Sequence, residues 1–380
     1  MFDIASIMIY LTTFVITLFF CKISEVSFKK NNYLVGRVCA TFVMVIPSLL
    51  AALRDSSVGG DVEFYLVPNF NEAIKSITFG NFYQTASEQM EYLFSAIVYL
   101  CSKYANINVL FFIIQFLVIC PVYVALYKNR NSCSMTLGMS VYLFCFYNFS
   151  LSGMRQSIAM AFVLLGYTLY EEKKYIKTLL IAILSVLFHK SATVIIAILI
   201  IIKFLEKRNN YKLYIKNIFI FLVLFFIFYD RIAELIARIL WKLNPRYSFY
   251  IRVYLKNYIN WSDIPGSDML IKTLPIILCI VFLVASKKLN VDRKIYTLMI
   301  LVILGRYFVL FNARFYESLR IAYYFDMFAI LFLASSVRCV KQNSVNRLIY
   351  SLIIMLCVFT YWIHFIMYIG GYSTNVYMFG

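Results

Sequence analysis

Charge is scarce in this chain. Only 14% of its 380 residues are Asp, Glu, Lys or Arg, against roughly 25% in an ordinary soluble domain. Hydrophobic residues make up 63%, and a soluble fold of that composition would expose large apolar patches. Acid is scarcer than base, 18 residues against 36, and the net charge is +18. Histidine occurs twice. There is no C-x-x-C, no H-E-x-x-H, no D-x-D pair, no Walker A loop and no G-x-G-x-x-G. These absences argue against metal-dependent, nucleotide-sugar and ATP-driven chemistry, so neither a metal nor a cofactor is expected. The nine Cys are scattered and mostly lie in apolar runs (Cys21, Cys120, Cys145, Cys279, Cys357). They are expected to be small apolar core residues.

What is present is apolar runs punctuated by basic residues. This is the pattern of a polytopic all-α membrane protein, and the charge reads as a topology signal rather than a nucleic-acid surface. About twelve crossings are expected, near 4–21, 35–53, 108–127, 136–150, 156–170, 177–189, 191–204, 215–229, 269–286, 295–311, 319–337 and 348–368. The start M-F-D lacks the positive flank of a cleaved signal peptide, so the first run is expected to stay as a span. Loops 22–34, 128–135, 171–176, 203–214, 287–294 and 338–347 carry Lys or Arg and are assigned to the cytoplasm. The chain is then one transmembrane domain, 1–380, with long outer segments at 54–107 and 230–268. The apolar stretch 91–103 is about half a membrane long. A full crossing there would invert every later loop, so a re-entrant or interfacial helix is expected.

One stretch brings chemistry-bearing residues together. It opens N-F-S-L-S-G-M-R-Q at 148–156 and closes F-H-K-S at 188–191, with charged E-E-K-K-Y at 171–175 between two apolar runs. If the chain crosses and returns, Arg155–Gln156 and His189–Lys190 emerge at the same face. Ser150 or Ser152 is a candidate cap for the helix entered at Arg155. An Arg there opposes the helix dipole, so it suits an anion site or a lipid-phosphate contact better than helix stability. His189 suits proton transfer or phosphate binding.

The segment R-D-S-S-V-G-G-D-V-E-F-Y at 54–65 offers Arg54, Asp61, Glu63 and Tyr65. Gly59–Gly60 permit a sharp turn with positive φ. The segment reads either as a solvated turn or as a carboxylate held at the membrane surface to act as a general base, with Asp61 ahead of Glu63. Segment 230–268 interleaves cations with aromatics and has helical amphipathic spacing, which fits a membrane-surface helix or a site for a phosphorylated sugar lipid. Arg306 falls inside a span, where charge is costly and points to a lined cavity. Arg314 and Arg320 lie near the outer ends of late helices, and Glu317 and Asp326 are candidate partners. The tail G-G-Y-S-T-N-V-Y at 370–377 returns outside and is placed to cover a cleft.

Taken with S-G-M-R-Q-S-I-A-M-A at 152–161, L-F-H-K-S-A at 187–192 and R-I-A-Y-Y-F at 320–325, the 54–65 motif resembles the EpsG/Wzy-type polysaccharide polymerases of bacteria. The resemblance implies a multi-pass protein of the cytoplasmic (inner) membrane with its active site facing outside. It implies a glycosyltransferase that joins undecaprenyl-pyrophosphate-linked oligosaccharide repeat units into O-antigen, capsule or exopolysaccharide. Carried over by position, the implied site residues are Arg54, Gly60, Asp61, Tyr65, Arg155, Gln156, His189 and Arg320. With Arg314 they make up the expected site, in which Asp61, Arg155 and His189 are catalytic and the other side chains bind substrate. The expected partners are the lipid-linked oligosaccharide, membrane lipid and a chain-length regulator protein, with no nucleic acid. A lipid-oligosaccharide flippase or transporter, and a membrane acyltransferase using His189 as base, are the alternatives.

Overall fold

A computed structural model describes residues 3–86, 90–206, 266–285, 293–311, 317–340 and 344–380. Among these residues the chain is helical and has no strand. One isolated antiparallel bridge joins Arg54 to Phe379. Helix α1 (Ile4–Lys29) starts at Asp3, whose carboxylate accepts from Ala5 N–H and from the Ser6 hydroxyl. A left-handed Asn31 turns the chain, and Asn32 caps α2 (Tyr33–Ala52) by accepting from Val35 N–H. Caps of this kind satisfy the donors that a helix start leaves open.

Short helices α3 (Val67–Lys75), α4 (Phe79–Ala86) and α5 (Tyr92–Tyr104) follow a π-turn at Val62–Leu66. With 13 residues, α5 is about two-thirds of a crossing long. It lies against α3 and α4, and Lys103 and Tyr99 tie it back to the carbonyls of Ile74 and Ile77. Next come α6 (Ile107–Lys128), α7 (Met135–Cys145), α8 (Tyr147–Ser152), α9 (Met154–Glu171), α10 (Tyr175–Phe188) and α11 (Val194–Glu206). The late helices are α12 (Gly266–Ala285), α13 (Arg293–Phe311), α14 (Glu317–Asp326), α15 (Ala329–Ser336) and α16 (Ser344–Tyr361).

Among the described residues five helical segments are long and apolar enough to cross a membrane: Ile4–Lys29, Tyr33–Ala52, Ile107–Lys128, Leu319–Cys339 and Val345–Tyr368. Met135–Cys145, Tyr175–Phe188 and Ile271–Leu283 are shorter apolar helices. The protein is therefore an all-helical membrane protein. Two of the expected continuous crossings are interrupted. The run 136–150 divides into α7 and α8 at Phe146, and 319–337 is kinked between α14 and α15 at Met327–Phe328 while Leu319–Cys339 as a whole stays long and apolar enough to cross. Expected crossing 215–229, nearly all of segment 230–268 and Arg314 lie outside the described residues.

The end where α1 begins is closed by the C-terminal tail. Tyr10 OH donates to Thr374 O at 3.0 Å, and Tyr377 N–H donates to Ser6 Oγ at 2.6 Å. Trp362 Nε1 donates to Asn148 Oδ1 at 2.9 Å, and Asn148 Nδ2 donates to Thr374 Oγ1 at 3.0 Å. Tyr10, Phe14, Phe144, Tyr147 and Trp362 pack edge-on or tilted beneath the tail, with centroids 5.3–6.3 Å apart. Such aromatic pairs each add about 0.5–1.5 kcal/mol beyond their buried area.

Candidate functional site

Helices α9 and α10 form an antiparallel hairpin through a left-handed Lys173. The C-cap of α10 is His189, whose extended backbone (φ −158°, ψ 121°) ends the helix and starts a 3-10 turn at Lys190–Thr193. The hairpin therefore places Arg155, in the first turn of α9, and His189, at the end of α10, at the same end of the bundle. Both line an open cavity of about 340 Å³ together with Asp61, Tyr65, Gln156 and Arg320.

Arg155 and His189 meet through a carboxylate that none of the motifs contains. Glu91 stands at the N-terminal boundary of α5 without capping it, and its side chain turns toward the hairpin. Glu91 Oε2 accepts from Arg155 Nη1 at 2.8 Å. Glu91 Oε1 pairs with His189 Nδ1 at 2.8 Å and accepts from Lys190 N–H at 3.1 Å. The Glu91 side chain is 9% exposed. Burial pushes its pKa up, but the His189 hydrogen bond, the Arg155 and His189 charges and the Lys190 N–H outweigh burial and pull it down to about 2. An ionised carboxylate only accepts, so His189 Nδ1 is the donor, and in the neutral imidazole Nε2 keeps its lone pair. The same carboxylate offsets the unfavourable position of Arg155 at a helix start. The Arg155 guanidinium also sits 4.5 Å from the Tyr65 ring centroid.

Asp61 stands on the other wall of the cavity and reaches solvent through the opening. The protein around it raises its pKa by desolvation, and the nearby charges of Arg155 and Arg320 partly oppose that rise. Gln156 is buried and donates from Nε2 to Arg320 O at 2.7 Å, tying α9 to α14. Ser191 Oγ and Tyr324 OH share a hydrogen bond at 3.0 Å that fixes α14 to the turn after His189. Phe149, Tyr323 and Tyr372 supply an aromatic wall, with Phe149 4.5 Å from Tyr323 and 5.1 Å from Tyr372 between centroids.

Not every residue expected at the site reaches the cavity. Arg54 is buried and points elsewhere. It donates from Nη1 to Leu151 O at 2.8 Å and lies 4.3 Å over the Phe111 ring. Because it holds the loop that carries Asp61 against α8, it acts behind the cavity wall rather than in it. Glu63 does not line the cavity either. Neither serine caps α9. Its N-cap is Gly153, which makes no side-chain cap, while Ser150 donates to Gln115 Oε1 at 2.9 Å and Ser152 Oγ accepts from Asp61 N–H at 3.4 Å. Of the two glycines, Gly59 has the positive φ (+108°), and a Cβ there would lie 2.6 Å from Leu151 O. Gly60 does not share that conformation. Glu91 escaped the motif reading because the signal that singles it out, a buried acid beside a guanidinium and an imidazole, exists only in the folded chain. The aromatic wall was partly visible, since Phe149 and Tyr323 fall inside quoted motifs and Tyr372 lies in the covering tail.

Arg306 and Asp326 are partners, as the span-internal Arg required. They form a close ion pair between α13 and the end of α14, and Lys272 Nζ of α12 lies 3.5 Å from Asp326 Oδ2. Lys272 also sits 5.4–5.6 Å from the ring centroids of Phe146, Tyr323 and Tyr361. The space these charges line is about 20 Å³, room for about one water.

No curated protein and no solved structure matches the chain. The family model described as "EpsG family" matches residues 37–378. EpsG is a Wzy-type polysaccharide polymerase-like family. Nearly the whole sequence is covered, including every wall of the cavity, and the chain belongs to the EpsG family.

Proposed function

We propose that the protein is a membrane glycosyltransferase that polymerises undecaprenyl-pyrophosphate-linked oligosaccharide repeat units. It acts at the outer face of the bacterial cytoplasmic membrane, with about twelve crossings carrying outer loops that form the site. The observation that supports this reading best is a cavity in which a carboxylate of raised pKa, Asp61, faces the cations Arg155 and Arg320 and the imidazole of His189. The donor is the chain on its pyrophosphate lipid, and the acceptor is a sugar hydroxyl on a new lipid-linked unit. The hydroxyl oxygen forms a bond to the donor's anomeric carbon, and the bond from that carbon to the pyrophosphate oxygen breaks. The hydroxyl proton passes to Asp61, and the bonding electrons leave with the pyrophosphate. Arg155 and Arg320 stabilise the charge that develops there. His189, held through Nδ1, presents Nε2 for a phosphate oxygen or a proton. Phe149, Tyr323 and Tyr372 suit sugar faces. A chain-length regulator belongs to the same reading as a protein partner.

The experiment is the surface polysaccharide ladder of a deletion strain complemented with wild type or with Arg155→Ala. The expected result is single repeat units without a ladder in the variant, at normal protein level and membrane insertion. A near-normal ladder would sink the proposal. The buried Lys272–Asp326–Arg306 cluster favours a second reading, a lipid-oligosaccharide flippase, because transporters keep polar sites within the bundle. In that case the deletion strain would show no repeat unit at the surface at all.

A further inference from the structure

A second open groove, of about 800 Å³, lies at the opposite end of the bundle from the cavity, between the end of α1, the start of α7, the 3-10 turn after α15 and the start of α16. Four cations line it: Lys22, Lys29, Arg338 and Arg347. Glu25 is the carboxylate among the lining residues, and it is committed to the fold. Its Oε1 accepts from Lys29 Nζ at 2.6 Å, and its Oε2 accepts from Thr136 N–H at 3.1 Å and Thr136 Oγ1 at 2.8 Å. Arg347 Nε donates to Val340 O at 3.5 Å, a neutral partner, so the described lining keeps a surplus of positive charge.

Below these cations the wall becomes apolar. Leu348 and Leu352 occupy successive turns of α16 and are 59% and 53% exposed. Residues at i and i+4 share a helix face, so the two form one strip leading away from the charged rim. A phosphate-bearing headgroup satisfies the rim, and a hydrocarbon chain satisfies the strip. A soluble anion matches only the first, and a neutral lipid only the second. Basic pockets between transmembrane helices suit anionic headgroups for this reason.

We propose that this groove binds one anionic phospholipid, with its phosphate at Arg338, Arg347 and Lys22 and an acyl chain along Leu348 and Leu352. This site does not depend on the polymerase reading. It would place a lipid contact at the membrane face opposite the sugar chemistry, where the basic loops of the sequence gather.

The test uses the full chain purified in neutral detergent and titrated with phosphatidylglycerol or phosphatidylcholine. Retained lipid is read by native mass spectrometry and by the shift in melting temperature. Phosphatidylglycerol is expected to be retained at least tenfold better than phosphatidylcholine, and Arg338→Gln/Arg347→Gln is expected to lose that preference. Lys173→Gln/Lys177→Gln, which removes exposed cations outside the groove, should leave the preference intact. Lys22→Glu, on an exposed part of α1, should weaken retention about fivefold and serves if the double variant does not fold. Equal retention of both lipids, unchanged retention in the groove variants, or equal protection by inorganic phosphate would each overturn the proposal.

Discussion

Glu91 is the residue on which the candidate site turns. One carboxylate holds a guanidinium, an imidazole and a backbone N–H that come from two helices, while it sits at the start of a third. Glu91→Gln removes the charge but keeps the shape. It should leave Arg155 without its counter-ion and let His189 change tautomer. Polymer in the complementation assay is expected to fall at least a hundredfold, with a smaller fall in protein level, and a full ladder would show that the link is dispensable. The pKa of Glu91 is lowered on folding, to about 2. Its contribution to stability is thus present above its ordinary value near 4.5 and is lost as the pH falls through 2. Melting curves of wild type should stay level between pH 7 and 5 as far as this group is concerned, and Glu91→Gln should remove the part of the acid-side loss that wild type shows below pH 4.5. Asp61 behaves in the opposite way, because its pKa is raised. As a base it must be ionised, so the rate should rise with pH through a value above that of an ordinary aspartate. Asp61→Asn should abolish that rise together with activity, measured as lipid-linked chain extension in membranes.

At the scale of the element, α14 is the helix whose placement the site depends on. It carries Arg320 and Tyr323 to the cavity, yet it is only ten residues long. It is held at both ends as well as by the Ser191–Tyr324 hydrogen bond. Gln156 grips Arg320 O near its start, and Asp326 at its end pairs with Arg306 and Lys272. Breaking one member of a buried ion pair costs about 3–5 kcal/mol, whereas replacing the pair with apolar residues is often neutral. Arg306→Met alone is therefore expected to lower the melting temperature and the yield sharply. Arg306→Leu/Asp326→Leu should recover most of the stability, and a double variant as unstable as the single would argue against an anchoring pair. Lys272 is left beside aromatic rings in the double variant, so the recovery should be incomplete. The tail and the 53–59 loop act as another unit. Gly59 N–H donates to Ser373 O, and Gly380 N–H donates to Leu53 O. Gly59 needs its left-handed φ and has backbone within 2.6 Å of where a side chain would begin.

For the whole molecule the decisive quantity is which end faces which side of the membrane. Lys190 is exposed beside the cavity, and Lys177 is exposed near the other end of α10. In a background without the native cysteines, Lys190→Cys is expected to react with a membrane-impermeant maleimide on intact cells. Lys177→Cys should react only after lysis. The reverse pattern would turn the molecule over and end the proposal of outer-face chemistry. The charge distribution supports the expected direction, since Lys22, Lys29, Arg338 and Arg347 gather at the end away from the cavity, and cations favour the cytoplasmic side.

Composition pointed to a membrane protein, because 63% hydrophobic residues with 14% charge would leave a soluble fold with large apolar patches. The order of apolar runs settled most helix positions, since a run must be helical to satisfy its own backbone in lipid. The hairpin from Arg155 to His189 followed from the same order of apolar runs, as did the short helix after Glu91. Only tertiary structure decided what the Arg155 guanidinium and the His189 imidazole face. Glu91 is distant in sequence from both and carries no local sign of its role, because its low pKa is made by neighbours that folding brings to it. Folding likewise turned Arg54 inward, where the Leu151 carbonyl and the Phe111 ring take its charge, and turned Asp61, seven positions later, toward the cavity. Side chains a few residues apart in one irregular loop have no fixed period to assign their faces, and only the contacts made across the chain choose which of them meets the substrate.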